Sequence, residues 1–253
     1  MPSPDGGASV DYDVLWRRLD DFVRYNPGAR HRRRAVRRLL ARCRLRSLLD
    51  VGCGSGELLV DLLRTFGPLE RVWGVDQSAE SVRRNAERMP GVTFRQLDLE
   101  RERLGETFDV VTCCEVIEHV AAQADAVANL AAMVAPGGHL VLTCPTGRIF
   151  ETERGWGHLR HPSRADLLGW TRAAGLEPVA LENWGWPVYR LTKWATNLDP
   201  GWSRRHFAAG AYGPLQRAVS GALDLANRLN ARDSTHGCQL FGLFRRPSAP
   251  GAA

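Results

Sequence analysis

The stretch Leu48-Leu49-Asp50-Val51-Gly52-Cys53-Gly54-Ser55-Gly56-Glu57-Leu58 decides the fold class of this 253-residue chain. Its apolar beginning predicts a buried strand, three glycines spaced Gly-x-Gly-x-Gly follow, and a helical pattern starts at once. Glycine permits a sharp turn and a close approach of a ligand to the backbone, and the first amides of a helix favour electron-rich groups. The stretch predicts a nucleotide-type site after the first strand of an α/β sheet, with a simple strand-to-helix turn as the alternative.

The spacing of the glycines and the order of the following segments narrow the fold class further. A dinucleotide fingerprint has the spacing Gly-x-Gly-x-x-Gly, so a nicotinamide-dependent dehydrogenase is disfavoured. Helical segments alternate with four further strands, which are predicted over 71–76, 92–98, 108–115 and 137–145. Alternation at this spacing predicts a parallel, doubly wound sheet. Two of these strands lead into acidic residues, Asp76 and Asp98.

Four short motifs together resemble those of class I S-adenosylmethionine-dependent methyltransferases. They are Asp50–Gly56, Val75–Ser78, Asp98-Leu99 and Cys114–Val120. The chain resembles in particular the subgroup of ubiquinone-biosynthesis O-methyltransferases and natural-product methyltransferases. This resemblance implies a Rossmann-like, mostly parallel seven-stranded sheet. It also implies an enzyme that methylates a small molecule, with a hydroxyl in secondary-metabolite or quinone-type biosynthesis as the expected acceptor.

The resemblance also implies which residues bind the cofactor, S-adenosylmethionine. The glycine loop would hold its methionine portion, Asp50 would accept from its ammonium group, and Asp76 would hold the ribose. Asp98 and Leu99 would frame the adenine. The full expected set is Asp50, Gly52, Cys53, Gly54, Gly56, Asp76, Gln77, Asp98, Leu99 and Glu115.

A second motif, Glu115-x-x-Glu118-His119, follows the fourth predicted strand at the edge where ligands bind in open α/β sheets. Two carboxylates and an imidazole predict a site for Mg²⁺ or Mn²⁺, which would lower the pKa of an acceptor hydroxyl. The alternative is a helix start with favourable acids. In the resembled family the motif also occurs in RNA 2′-O-methyltransferases, which are the alternative function.

Histidines complete the set of candidate catalytic residues. His158 and His161 follow the fifth predicted strand, and either could supply a further metal ligand or act as a general base near neutral pH. His119 belongs to the same candidate set. A loop histidine without a catalytic role is the alternative for each of them.

The chain is long enough for one decorated domain. Residues 1–9 are predicted to be disordered, and 10–25 to form an amphipathic helix. The expected division has an N-terminal helical cap over 1–44, a methyltransferase core over 45–186 and 237–247, and a helical, aromatic-rich insertion over 187–236. No signal pattern or stretch of eighteen apolar residues is present, so we expect a cytoplasmic protein.

Charge and composition limit the possible partners. The formal net charge is +6, and nine arginines cluster between positions 30 and 46. A solvated helix face is one interpretation of this cluster, and an anionic partner is the other. No aromatic residues interleave the arginines, which disfavours single-stranded nucleic acid. Six cysteines without Cys-x-x-Cys spacing disfavour a zinc site.

The insertion over 187–236 has two compatible interpretations. It contains Trp194 and Trp202 and a helical stretch over 215–229. This stretch either completes the core as a cap or forms a lid and a surface that meets an apolar or membrane-bound substrate. We therefore expect a small-molecule acceptor of apolar or anionic character and peripheral contact with a membrane. No internal repeat is visible.

Overall fold

The computed structural model describes residues 10–17, 19–207 and 210–248, so the disorder predicted for residues 1–9 lies outside the described residues. The strands are β1 (Ser47–Val51), β2 (Arg71–Asp76), β3 (Thr93–Gln96), β4 (Phe108–Cys114), β5 (Val134–Pro145), β6 (Glu177–Trp184) and β7 (Gln239–Arg245). They form one sheet with the order β3-β2-β1-β4-β5-β7-β6.

Strand direction places a ligand edge at the centre of this sheet. The neighbours from β3 to β5 are parallel, whereas β7 runs antiparallel to both β5 and β6. The chain order reverses between β1 and β4, and open α/β sheets bind ligands outside the carboxyl ends of the strands at such a point. The predicted seven-stranded, mostly parallel sheet is confirmed, and the glycine loop follows β1 at this edge.

Helices cover both faces of the sheet. They are α1 (Tyr12–Trp16), α2 (Asp20–Tyr25), α3 (Pro27–Leu40), α4 (Glu57–Phe66), α5 (Ala79–Arg88), α6 (Gln123–Ala132), α7 (Glu151–Arg154), α8 (Arg164–Ala173), α9 (Val188–Thr196), α10 (Pro200–Phe207) and α11 (Pro214–Ala226). Short 3₁₀ turns lie at Ile117–His119 and Asn227–Leu229. Apolar residues of α3 and α4 pack in one core layer, and those of α6 and α8 pack in the other.

The packing of the arginine-rich helix α3 agrees with the first of the two interpretations of the arginine cluster, a solvated helix face. Its apolar positions, from Ala35 to Leu40, are buried against the sheet. Several of its arginines pair within the chain: Arg37 with Asp61 and Arg38 with Glu182. A surface whose guanidinium groups already have carboxylate partners offers less charge to nucleic acid.

Two predicted boundaries are corrected. The helix predicted over 10–25 is two helices, α1 and α2. The strand predicted over 137–145 already begins at Val134. The pairing of β4 with β5 shifts register after Phe108, and this irregularity accommodates the turn around Gly137 (φ +79°) inside the strand.

Helix α8 begins with a capping box. The Ser163 hydroxyl accepts a hydrogen bond from the Asp166 amide at 3.1 Å, and the Asp166 carboxylate accepts from the Ser163 amide at 2.8 Å. This reciprocal pair satisfies two amides that a helix start leaves free. The helix is followed by Gly175 with φ +77°, the left-handed geometry that commonly ends helices.

The insertion before β7 consists of α9, α10, α11 and the turn Asn227–Leu229. The helix predicted over 215–229 is present, but its apolar side chains do not complete the core. Leu215, Leu225 and Leu229 are exposed, whereas Ser220 and Asp224 are buried. Among the described residues, no helix has the length and apolar character needed to cross a bilayer.

Candidate functional site

A cavity of about 310 Å³ lies at the carboxyl edge of β1, β2 and β4. The strand ends form its floor, α1 and α2 contribute one wall, and α9 contributes another. The cavity brings together most of the residues predicted to bind the cofactor and the predicted metal and catalytic histidine His119. We call the part of the cavity next to the glycine loop, where the cofactor is predicted to bind, the cofactor end. We call the part next to the histidines, where the acceptor is predicted, the acceptor end.

The glycine loop adopts a backbone that other residues rarely adopt. Gly52, Gly54 and Gly56 have φ values of +71°, +50° and +70°. A Cβ atom added at Gly52 would lie 2.2 Å from the side chain of Val116, and one at Gly54 would lie 2.5 Å from Trp16. The loop thus needs glycine for its conformation and for its packing.

Asp76 anchors this loop to the end of β2. Its carboxylate accepts hydrogen bonds from the Gly54 amide at 2.8 Å and from the Ser78 amide at 2.9 Å. Burial raises the pKa of Asp76 to about 6, although both hydrogen bonds favour the charged form. The carboxylate lines the cavity beside Gln77, as expected for a group that receives ribose hydroxyls.

Asp50 lies at the end of β1, and its predicted contact with the cofactor ammonium stays a prediction. It is buried, accepts a hydrogen bond from the Thr112 hydroxyl at 2.7 Å, and lies outside the set of described residues that line the cavity. Burial raises its pKa to about 7. Cys53, Gly54 and Gly56 are likewise not among the described residues that line the cavity.

The third part of the cofactor end lies after β3. Asp98 lines the cavity between the buried side chains Leu97 and Leu99. Its carboxylate accepts from the Glu100 amide at 3.1 Å and pairs with Arg101 at 3.2 Å. Two apolar side chains beside a carboxylate acceptor match the shape and polarity of an adenine ring with its amino group.

Glu115 connects the two ends of the cavity. Its φ of +59° is unusual for a residue other than glycine, and such geometry often marks functional positions. One carboxylate oxygen accepts from the Thr143 hydroxyl at 3.0 Å and from the Gln239 amide at 2.6 Å. The other lies 3.7 Å from the Arg32 guanidinium. These three contacts fix the position of the Glu115 carboxylate.

The acceptor end brings Glu118 and His119 together with His158. One potential ligand atom from each of the three lies within 4.8 Å of the others. Glu118 is fully buried, and neither carboxylate oxygen has a hydrogen-bond partner among the described residues. Burial, reinforced by the nearby Glu115 carboxylate, raises the pKa of Glu118 well above its ordinary value. An unpartnered buried carboxylate requires either a proton or a cation.

A chain of polar contacts begins at His158 and returns to the cavity wall at Glu153 and Lys193. His158 Nδ1 lies 2.8 Å from His161 Nε2, which in turn lies 3.9 Å from Glu153. Glu153 pairs with Lys193 at 2.5 Å. Burial lowers the pKa of His158, and the nearby His119 and His161 lower it further. Burial likewise lowers the pKa of His119. Both rings are therefore neutral near pH 7.

Several residues of the site were not predicted from the sequence. The Tyr12 hydroxyl of α1 lies 3.1 Å from His119 Nδ1, and the Asp13 carboxylate accepts from the Ser78 hydroxyl at 2.5 Å. Arg32 and Lys193 also line the cavity. The sequence shows that Arg32 belongs to a dense arginine cluster. Only the tertiary structure shows that this arginine of α3 is the one that lines the cavity.

Comparisons with known proteins agree with this geometry. A family model described as a methyltransferase domain matches residues 29–181, which is more than half of the chain. A trans-aconitate 2-methyltransferase of Azoarcus sp. is 30% identical over 71% of this chain and 72% of its own length. A ubiquinone biosynthesis O-methyltransferase of Alkalilimnicola ehrlichii is 38% identical over 39% of this chain and 41% of its own length.

The solved structures support the fold. The N-methyltransferase NodS from Bradyrhizobium japonicum, in complex with S-adenosyl-l-homocysteine, matches with a TM-score of 0.60 and 20% identity. The match covers 94% of this chain and 98% of that chain. By contrast, the chain spans only 30–41% of the length of the first curated relatives that it matches.

Proposed function

This chain belongs to the class I S-adenosylmethionine-dependent methyltransferase family, and we propose that it transfers the methyl group of that cofactor to a hydroxyl oxygen of a small molecule. One observation carries the proposal: a single cavity joins the glycine loop, Asp76 and Asp98 to a half-buried pair of histidines, His119 and His158. Binding groups at one end and proton acceptors at the other are what methyl transfer to a hydroxyl requires.

The cofactor end has a group for each part of the cofactor. The Asp76 carboxylate would accept from the ribose hydroxyls, and Asp98 would accept from the adenine amino group. Arg32 would pair with the cofactor carboxylate, since it lines the same cavity as Gly52 and, within the described chain, has only the ion pair with Glu115. Glu115 would then balance the positive charge of the cofactor ammonium.

The acceptor end would remove a proton while the methyl group moves. The acceptor oxygen forms a bond to the methyl carbon as the bond from that carbon to sulfur breaks, and the sulfonium charge disappears. His158 would take the hydroxyl proton, because its neutral ring has a free nitrogen and its Nδ1 faces His161 at 2.8 Å. General-base help of this kind contributes about 10²–10⁴-fold to a rate.

The same side chains also fit a divalent cation. Glu118 has an unpartnered buried carboxylate, and His119 and His158 supply nitrogen ligands nearby. A mixed oxygen and nitrogen set suits Mn²⁺ better than Mg²⁺. When bound, the ion would lower the pKa of the acceptor hydroxyl. It would replace the general-base role of His158, because a ring nitrogen that binds the ion cannot also take a proton. His158 rather than Glu115 completes this set, because the Glu115 carboxylate already has three partners.

RNA as the acceptor is not favoured by any contact in the described chain. The predicted arginine surface is largely paired with carboxylates of the same chain, and the cavity is lined by apolar side chains such as Phe22 and Trp156. These features favour a small acceptor that enters the cavity.

The test combines binding and turnover. Calorimetry with S-adenosylhomocysteine should give one site, and methyl-labelled cofactor should label the small-molecule fraction of a lysate. NMR of the product should locate the new methyl group on oxygen. His158→Gln should retain cofactor binding and lose turnover, whereas His206→Gln, at an exposed position on α10, should retain both. Label in RNA, or no binding of S-adenosylhomocysteine, would contradict the proposal.

The cation has its own test. Calorimetry with Mn²⁺ after EDTA treatment should show a site that Glu118→Gln removes. If Mn²⁺ does not bind and EDTA leaves turnover unchanged, the three residues act without a metal.

A further inference from the structure

Helix α11 has the reverse of the usual amphipathic arrangement. Its buried positions are polar, Ser220 and Asp224, whereas Leu215 and Leu225 are 77% and 61% exposed. Leu229, in the 3₁₀ turn that follows, is 75% exposed. Surface helices normally bury such side chains, so each leucine left in water forgoes the free energy that its burial would contribute.

Ion pairs hold α11 in this orientation. The Asp224 carboxylate pairs with Arg34 at 2.7 Å and with Arg30 at 3.4 Å, both on α3. Rotating α11 to bury its leucines would break both pairs and leave the guanidinium groups of α3 without this partner. The outward leucines are therefore a consequence of specific contacts rather than of loose packing.

Helix α9 extends the apolar surface. Its residues Tyr189 and Lys193 face the cavity, whereas Leu191 and Trp194, three residues apart, are exposed. This spacing places the two on one side of the helix. Leu198, which is also exposed, lies in the turn that follows α9. We call the six side chains the exposed apolar face: Leu191, Trp194, Leu198, Leu215, Leu225 and Leu229.

The insertion that carries the exposed apolar face also has an excess of positive charge. The insertion over 187–236 contains seven lysines and arginines but only three acidic residues, all of them aspartate. Within the described residues, Arg204, Arg205 and Arg228 form no ion pair with a carboxylate. Two of these arginines are on α10, and the third is in the turn beside Leu229. Apolar side chains among unpaired cations match the chemistry of an anionic lipid surface.

We propose that the exposed apolar face docks onto a bilayer that contains anionic phospholipids, with the arginines of the insertion at the headgroups. A second copy of this chain is a poorer occupant, because pairing two such faces would bring their unpaired arginines together. Indole and guanidinium groups are favoured at the interface between lipid and water, where leucine side chains reach the acyl boundary.

Docking onto a bilayer would also affect how the methyl acceptor reaches the cavity. This part of the inference rests on the proposed function. The two sides of α9 face the cavity and the bilayer, and a helix with side chains is about 10 Å across. The cavity would then lie one helix diameter from the lipid. An amphiphilic acceptor could pass between the two without crossing bulk water.

The experiment is co-sedimentation of the full chain with vesicles of phosphatidylcholine, with and without phosphatidylglycerol. We expect binding to the anionic vesicles that weakens with added salt. Removing Arg204, Arg205 or Arg228 by substitution with alanine should weaken binding about fivefold each. Leu225→Ser and Leu229→Ser should weaken it about tenfold each.

Matched controls lie on other surfaces. Val179→Ser removes an apolar side chain on β6 that is 54% exposed, and Arg172→Ala removes a cation from α8, on the opposite face of the sheet. Both should bind vesicles like the unchanged protein. Every variant should bind S-adenosylhomocysteine unchanged, and this readout also separates failure of docking from failure of the proposed function.

Three results would overturn the proposal. They are absence of binding to anionic vesicles, equal loss of binding in the control variants, and a dimer in sedimentation velocity that Leu225→Ser dissociates. The last result would assign the face to a second copy of the chain.

Discussion

The two ends of the cavity differ in how their polar groups are satisfied. At the cofactor end, the Asp76 carboxylate accepts from two backbone amides of neighbouring loops. At the acceptor end, both oxygens of Glu118 lack a partner among the described residues. The cofactor end is therefore organised before any ligand arrives, whereas the acceptor end keeps polar groups that a ligand, a proton or a cation must satisfy.

The largest effect is expected from a substitution that distorts the glycine loop at the cofactor end. In Gly52→Ala the new Cβ would lie 2.2 Å from Val116 in a residue with φ +71°. Strain and displacement of the loop should weaken S-adenosylhomocysteine binding about 100-fold in calorimetry. Gly67→Ala is the matched control, since φ is +81° but no described atom lies within 4 Å. It should lower stability and leave affinity unchanged, and equal losses of affinity in both variants would contradict this prediction.

The second prediction concerns the unsatisfied acceptor end. The pKa of Glu118 is raised by burial, so the folded state holds its proton more tightly than the unfolded state does. Stability is therefore lost as pH rises above the ordinary pKa of glutamate. Glu118→Gln should remove this loss and increase the free energy of unfolding at pH 8 relative to the unchanged protein by about 2 kcal/mol.

Urea unfolding at pH 5 and pH 8, after EDTA treatment, measures this difference. The stability gain of Glu118→Gln should be larger at pH 8 than at pH 5. If Glu118→Gln is less stable at both pH values, the Glu118 carboxylate has a stabilising partner. The statement that the acceptor end keeps unsatisfied polar groups would then be wrong.

The smallest of the three predicted effects concerns Asp76 at the cofactor end. Because burial raises the pKa of Asp76 to about 6, its carboxylate takes up a proton as pH falls below 6. Ribose hydroxyls donate more strongly to the charged form. Affinity for S-adenosylhomocysteine should therefore fall about fivefold between pH 6 and pH 5. Calorimetry across this range should give a flat profile for Asp76→Asn, and an equally steep profile would assign the proton to another group.

The cofactor end was largely predictable from the sequence because its signals are local. The glycine loop, Asp76 and Asp98 each directly follow a strand, and parallel strands bring their carboxyl ends to one edge. Asp50 is close to the glycines in sequence but lies outside the set of described residues that line the cavity, and its carboxylate accepts from the Thr112 hydroxyl of β4.

The acceptor end depends on contacts that sequence spacing does not encode. Tyr12 reaches His119 across more than one hundred residues, and Lys193 enters the cavity from the insertion. The sequence likewise does not predict which side of α11 is buried. Periodicity identifies the two sides of a helix, but the ion pairs of Asp224 decide which side is buried.

Helix α1 spans both ends of the cavity. Trp16 packs against Gly54 at the cofactor end, Tyr12 contacts His119 at the acceptor end, and Asp13 accepts from the Ser78 hydroxyl between them. A displacement of α1 as one unit would therefore break contacts at both ends of the cavity together. In that case, release of the spent cofactor and exposure of the acceptor histidine to water would coincide.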